Sequence, residues 1–278
     1  MISADAIENP LVWRLTLMVD GCEALRAVVS STVEDSSLMH FTLPLDPTVP
    51  LLRSLEEAIY ATPVLLSDFG KVDVLIRTDA YTLVPSALDA EGCRAAASIA
   101  ALTADAGGST CVMTDDTGTA MARVVWTVAD DVVAFLRRTF RNPDIMCHIT
   151  PLLRYFSRKT LLGNSAKLYV HFNPGGARTA DLIVFNPEGS LECAASHPCP
   201  TDTDAAYFIL ATARACGFSM TADEILICGD GSMRDAIMPL LRRYAAYVMP
   251  VIFPSIAFRA GREALKAPFP LIILPLCE

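Results

Sequence analysis

The feature that most constrains the fold is a repeat in the order of local patterns. In the second half, residues 167–172 (KLYVHF) alternate as a strand does, and Asn173-Pro174-Gly175-Gly176 reads as a turn. Residues 179–185 form a second strand, Asn186-Pro187-Glu188-Gly189 a second turn, and residues 190–195 a third strand. Thr203 or Asp204 is placed to cap a helix running to Ala215 and ended by Gly217. A strand at 224–228, the break Gly229-Asp230-Gly231, a helix at 232–244 and a strand at 248–253 follow, with Ile237, Leu240, Leu241 and Tyr244 on one helix face. The first half opens in the same way. Strands at 12–19, 24–31 and 38–43 precede a helix at 51–60, and Asp20-Gly21 is a hairpin signal between the first two. A strand at 72–77, a helix at 87–101, strands near Cys111 and Val124, and a helix at 131–140 complete that half. The order repeats and the residue identities do not.

Three antiparallel strands and a helix in each half predict an α/β chain of two lobes with mixed sheets around a central cleft. The expected division is 1–142 and 143–278, with a C-terminal strand at 270–277 packing back on either lobe. Charge supports a division near residue 140. Residues 1–139 carry 9 Lys and Arg against 19 Asp and Glu, and residues 140–278 carry 13 against 12.

With 278 residues, 53% of them apolar, the chain can bury a large core. Its net charge of −9 argues against general affinity for nucleic acid or anionic lipid. The longest uncharged apolar stretch, residues 244–258, is shorter than a membrane helix and is interrupted by Pro250 and Pro254. No positive, apolar secretory leader is read at the start. Nine scattered cysteines without a CxxC pair predict reduced thiols, no zinc site and a cytoplasmic setting.

Several short segments carry a family likeness: Tyr81-Thr82-Leu83-Val84-Pro85 after a strand, His171 in the first strand of the second half, the run from Asp204 to Leu210, and Leu226-Ile227-Cys228-Gly229-Asp230. Through them the chain resembles the bacterial DUF3822 family over nearly its whole length, and departs from it at Ala195-Ser196-His197, where an Asn-x-Phe type segment is expected. The resemblance implies the actin-like ATPase fold, two ribonuclease-H-like lobes around a nucleotide cleft. It implies no established activity.

In that superfold, glycine-containing turns between the first two strands of each lobe hold phosphates, and an acidic residue there organises Mg²⁺ and water. The matching turns here are Asp20-Gly21-Cys22-Glu23 and Asn173-Pro174-Gly175-Gly176. The first keeps a carboxylate. The second has none, and Pro174 removes a backbone donor. Ordinary hairpins account for both turns. Gly229-Asp230-Gly231 sits where adenosine approaches the backbone in the superfold, although a strand-to-helix turn with Asp230 or Ser232 as cap also explains it. The candidate ligand contacts are therefore Asp20, Gly21, Gly175, Gly176, Gly229, Asp230 and Gly231, with no catalytic or metal residue assigned.

Other candidates have plainer readings. Asp68-Phe69-Gly70-Lys71 reads as a loop, and Asp115-Asp116-Thr117-Gly118 as a solvated hairpin turn. Cys193, His197 and Cys199 lack metal-ligand spacing, as do the adjacent Cys147 and His148. His171 reads as a hydrogen-bonded core or cleft residue, and no Ser-His-Asp or Cys-His set follows from spacing. Arg137, Arg138, Arg141, Arg154, Arg158 and Lys159 gather near the expected junction, as a solvated helix face or a site for phosphate or an acidic partner. The expected function is a non-catalytic scaffold or interaction module with a protein partner, no required cofactor and a degenerate cleft. The alternative is an ATP- and Mg²⁺-binding protein with slow or absent hydrolysis.

Overall fold

The computed structural model describes residues 7–277, apart from residues 8, 34–37, 103–108, 161–163, 176, 256–257, 259–260 and 262–263. The first sheet contains β1 (Trp13–Asp20), β2 (Ala24–Ser31), β3 (Leu38–Pro44), β4 (Lys71–Ile76) and β8 (Asp144–Cys147), in the order β3-β2-β1-β4-β8. The second contains β9 (Lys167–Phe172), β10 (Thr179–Phe185), β11 (Leu191–Pro198), β12 (Glu224–Gly229) and β13 (Tyr247–Pro250), in the order β11-β10-β9-β12-β13. In each sheet the first three strands are antiparallel neighbours, and the remaining two run parallel to the first. The repeat read from the sequence thus extends to strand order and direction, in mixed sheets.

Strand alternation gives each sheet two buried faces. Leu15, Leu17 and Val19 of β1, with Val72, Val74 and Ile76 of β4, belong to a core shared with α1 (Leu51–Tyr60) and α3 (Asp130–Thr139). Met18, Val28, Leu75 and Met146 point the other way and meet Leu271, Ile272 and Leu274. Those residues belong to α7 (Phe269–Ile273) and the single turn Leu274–Leu276, so the strand expected at 270–277 is helical. Pro268 and Pro270 lie at the start of this segment, where fixed φ and a missing N–H suit a first helical turn and not a strand.

In the second sheet, Leu168, Val170, Leu182, Val184, Ile225 and Ile227 pack under α5 (Asp202–Ala215) and α6 (Gly231–Leu241). The opposite face, with Tyr169, Ile183, Phe185 and Cys228, joins the core that holds α4 (Ile149–Thr160). Phe156 of α4 stacks on Tyr169 with centroids 4.0 Å apart and on Phe269 at 6.0 Å. Helices α4 and α7 therefore lie between the two sheets. A third sheet, β5-β7-β6 (Tyr81–Pro85, Ala122–Ala129, Thr110–Asp116), with α2 (Ala90–Ala101) packed on it, is inserted between β4 and α3.

Several boundaries differ from those expected. Strand β8 lies beyond 142/143 yet pairs with β4, so the first sheet takes in residues 144–147. Helix α5 starts earlier, because Thr201 caps it in a reciprocal capping box with Asp204. Helix α6 ends at Leu241, leaving Tyr244 exposed, and β13 stops at Pro250. All nine cysteines are free. Among the described residues no helix is long and apolar enough to cross a membrane.

Candidate functional site

Strand β1 delivers Asp20 to its C-terminal end, where the turn through Gly21 (φ 56°) reverses the chain. Asp20 is 1% exposed, and its carboxylate accepts from two arginines, Arg26 Nε at 3.1 Å and Arg77 Nη1 at 2.5 Å. Neither arginine stops there. Arg77 also donates to the Thr179 hydroxyl, and Arg26 Nη2 donates to the Pro174 carbonyl at 3.2 Å. The backbone N–H of Ala177 donates to Glu23 Oε1 at 2.8 Å. Turn 20–23 of the first sheet is thus bonded directly to the 173–179 connection of the second.

Gly175 explains how closely the two approach. A Cβ there would stand 2.8 Å from Glu23 Oε2, 3.3 Å from Asp20 Oδ2 and 3.4 Å from Arg26 Nη2, at a φ of 130° that side chains rarely adopt. Fold topology therefore brings Asp20, Gly21 and Gly175 together; Gly176 lies outside the described residues. Charged side chains of this chain bridge the two turns beside an open cavity of about 280 Å³ lined by Asp20, Gly21, Glu23, Arg77 and Ala177, and the Ala177 N–H just after the second turn serves Glu23.

The third expected element sits beside the second turn. Gly229 (φ 90°) ends β12, and a Cβ there would lie 2.0 Å from the Phe172 carbonyl oxygen. Close packing on β9 thus demands glycine irrespective of any ligand. Asp230 caps α6, accepting from the Met233 N–H at 3.0 Å and the Ser232 hydroxyl at 2.5 Å. Partial burial works against its charge, but these hydrogen bonds outweigh that and hold the carboxyl below its ordinary value. A Cβ at Gly231 would meet only the end of the Arg234 side chain, at 3.9 Å. Gly175, Arg178, Asp202, Asp230, Ser232 and Met233 border a cavity of about 400 Å³ at this helix start.

Behind the turns lies a buried polar centre that spacing did not disclose. Asp181 of β10 is wholly buried and accepts four hydrogen bonds. Ser196 (2.6 Å) and His148 Nε2 (3.3 Å) reach Oδ1, while His171 Nδ1 and Asn173 Nδ2 (both 2.9 Å) reach Oδ2. Burial opposes its charge, yet the two imidazoles hold the Asp181 carboxyl well below the usual range. Because that carboxylate only accepts, Ser196 donates to it and the Tyr81 hydroxyl, 2.9 Å away, donates to Ser196. Burial, reinforced by the charge on Asp181, raises the Tyr81 phenol well above its ordinary value and keeps it a donor. No imidazole stands on the Ser196 hydroxyl, so this is not a nucleophilic triad. It joins β5, β9, β10, β11 and the residue that follows β8 at one point. His171 is the core residue expected. The Ala195-Ser196-His197 departure proves to be where β11 contributes to the centre, and only alternation along paired strands hinted that Asp181 and His171 share a face.

Two further expectations change. Asp115 is not solvated: it is 7% exposed and accepts from the Cys147 N–H and the Thr150 hydroxyl, both at 2.7 Å, at the start of α4. The basic residues near the junction do not form one cluster. Arg154 donates to the Asp116 carbonyl, Arg158 to the carbonyls of Leu276 and Cys277, and Arg141 pairs with Asp68. Among the described residues no group of three or more His, Cys, Asp or Glu is placed to hold a metal ion.

Comparison with known proteins bears on the fold. The family model described as a protein of unknown function (DUF3822) matches residues 15–248. No curated protein matches the chain. Among solved structures, a Bacteroides thetaiotaomicron protein with an actin-like ATPase fold and unknown function superposes with a TM-score of 0.78 at 18% identity, covering 100% of both chains. A chain of the PilM–PilN type IV pilus biogenesis complex superposes with a TM-score of 0.52 at 13% identity, covering 95% of this chain and 97% of that one.

Proposed function

We propose that this chain, which belongs to the DUF3822 family and has the actin-like ATPase fold, is a non-catalytic scaffold or interaction module with a degenerate nucleotide cleft. The observation that carries this reading is the direct bonding of the two turns through Arg26, Arg77, Asp20 and Glu23. Phosphoryl transfer depends on positioned cations and donors around the transferring group. Here the arginines are engaged by Asp20 and by the second turn, the Ala177 N–H is engaged by Glu23, and Pro174 has no N–H to offer. Asn173, at the end of β9, gives its amide to Asp181 instead of a carboxylate to a metal. The occurrence of the fold in a chain of the PilM–PilN type IV pilus biogenesis complex supports a role in holding a protein partner. In this reading the lobes divide between β8 and β9, not at 142/143.

A second reading, ATP binding with slow or absent hydrolysis, is favoured by the 400 Å³ cavity beside Asp230 and the start of α6. Thermal unfolding with and without ATP, ADP and Mg²⁺, together with a turnover assay, separates the two. The scaffold reading expects an unchanged Tm and no turnover. A ligand at about 100 times its Kd adds roughly 2.7 kcal/mol to native stability, which would raise Tm by several degrees. Such a rise establishes binding, and turnover abolished by Asp20→Ala in a folded protein overturns the non-catalytic reading.

A further inference from the structure

At the β13 edge of the second sheet lies an open groove of about 660 Å³. Tyr155 and Phe156 of α4, Tyr169 of β9, Leu226 of β12, and Val251 and Phe253 beyond β13 give it an apolar lining. The Phe156–Tyr169 stack and the packing of Phe253 on Phe269 anchor that lining in the central core. The lip is also apolar and meets water: Met249 is 39% exposed, Phe258 60% and Ile252 86%. A preformed apolar groove continuous with exposed large hydrophobics is the signature of a surface that receives something.

The mouth adds a charge. Lys159, Lys167 and Glu224 stand there. Glu224 is already engaged, by the Ser165 hydroxyl at 2.9 Å and by Lys167 Nζ at 3.8 Å. Lys159 is exposed, its ammonium lies 5.5 Å from the Tyr155 ring centroid, and among the described residues no carboxylate pairs with it. A chain of net charge −9 thus presents a positive, uncompensated point beside its apolar groove.

We propose that this groove docks a short amphipathic peptide segment of a partner protein, with aliphatic or aromatic side chains filling the groove and a neighbouring Asp or Glu meeting Lys159. The proposal rests on the reading of the chain as an interaction module and supplies the partner's chemistry. Strand addition is not the mode of binding. Arg242 already donates to the Val248 carbonyl, and Pro250 has no N–H, so β13 offers no continuous edge. Side chains carry the recognition. A second copy of this chain fits less well, because the lining residues of this face include one acid, Glu224, which Lys167 and Ser165 already hold.

The test is selection of a displayed random peptide library on the full chain, followed by fluorescence anisotropy with a labelled selected peptide. Selected sequences are expected to combine Leu, Ile or Phe with an adjacent Asp or Glu. Ile252→Asp and Lys159→Glu alter solvent-facing side chains, and both are expected to keep the parent Tm while weakening binding by about tenfold or more. Changing the peptide's acid to Lys is expected to restore binding to Lys159→Glu. No enrichment, or selected peptides that bind both variants as tightly as the parent, overturns the proposal. So does a dimer in sedimentation that Ile252→Asp dissolves, which would assign the face to a second copy. A nucleotide-dependent Tm rise with peptide binding intact would defeat the degenerate-cleft reading and leave the groove standing. Loss of peptide binding with no nucleotide response would remove the groove alone.

Discussion

Asp20 and Asn173 stand at matching places, each at the end of the first strand of a five-stranded sheet of the same order. In the first sheet the position holds a carboxylate that faces the other half of the molecule through Arg77 and Arg26. In the second it holds an amide that turns inward to Asp181. One sheet end therefore holds the two arginines whose hydrogen bonds cross to the other half, and the other contributes to a sealed polar centre. The difference teaches that repeating a fold does not repeat its electrostatics. Two sheets with the same hydrogen-bonding plan place charge according to what lies opposite each strand end.

The buried centre should be the costlier to break. Asp181→Ala strands two imidazoles, an amide and a hydroxyl away from water, and is expected to cost about 3–5 kcal/mol in urea unfolding. A loss under about 1 kcal/mol would show that the four donors find other partners. Its charge also has a pH signature. Because the folded carboxyl lies below the ordinary 3.8, its stabilising effect is complete above that value and is lost as pH falls toward the lowered folded value. The stability gap between parent and Asp181→Asn should therefore narrow as pH is taken from about 5 to about 2.

The inter-turn link should come next. Asp20→Ala leaves Arg26 and Arg77 facing each other without their shared carboxylate, and about 2–4 kcal/mol should be lost, less than for Asp181 because both arginines keep some contact with water. Equal losses at the two sites would mean that the link is as dry as the core. At the β12–α6 junction, Gly229→Ala should cost on the order of 3 kcal/mol from positive φ and the collision with the Phe172 carbonyl. Gly231→Ala should change stability by less than about 1 kcal/mol, since the new Cβ would meet only the flexible end of Arg234 at 3.9 Å. Similar costs for both would show that β12 and β9 can separate.

The smallest effect concerns thiols. Burial raises Cys147 and Cys228 well above the ordinary thiol value and pushes Cys193 and Cys199 up to about 11, so these four stay protonated at neutral pH. Cys22, in the first turn, is exposed. Native labelling with a thiol reagent is expected to modify Cys22 first, with little change in stability, and all nine after denaturation. Early labelling of Cys228 would instead reveal opening of the second sheet.

Much of this architecture was written locally. Alternating apolar residues, the turn pairs Asp20-Gly21 and Asn173-Pro174, and the glycines ending strands fixed the strand repeat, because period-two burial and turn chemistry are properties of neighbouring residues. The absence of a carboxylate from the second turn was equally visible. The rest depended on what distant segments place opposite one another. Residues 270–277 are apolar enough for a strand, and only the uncovered face bearing Met18, Leu75 and Met146, with prolines at the segment's start, made them a helical plug. Tyr81, His148, Asp181 and Ser196 lie far apart in the chain and meet because three sheets converge there. Arg77 and Thr179 are 102 residues apart, and no spacing rule links them. The sequence by itself determined the strands, the turns and the missing carboxylate. The tertiary structure decided which charges face one another, since electrostatic partners act through distance in space and not along the chain.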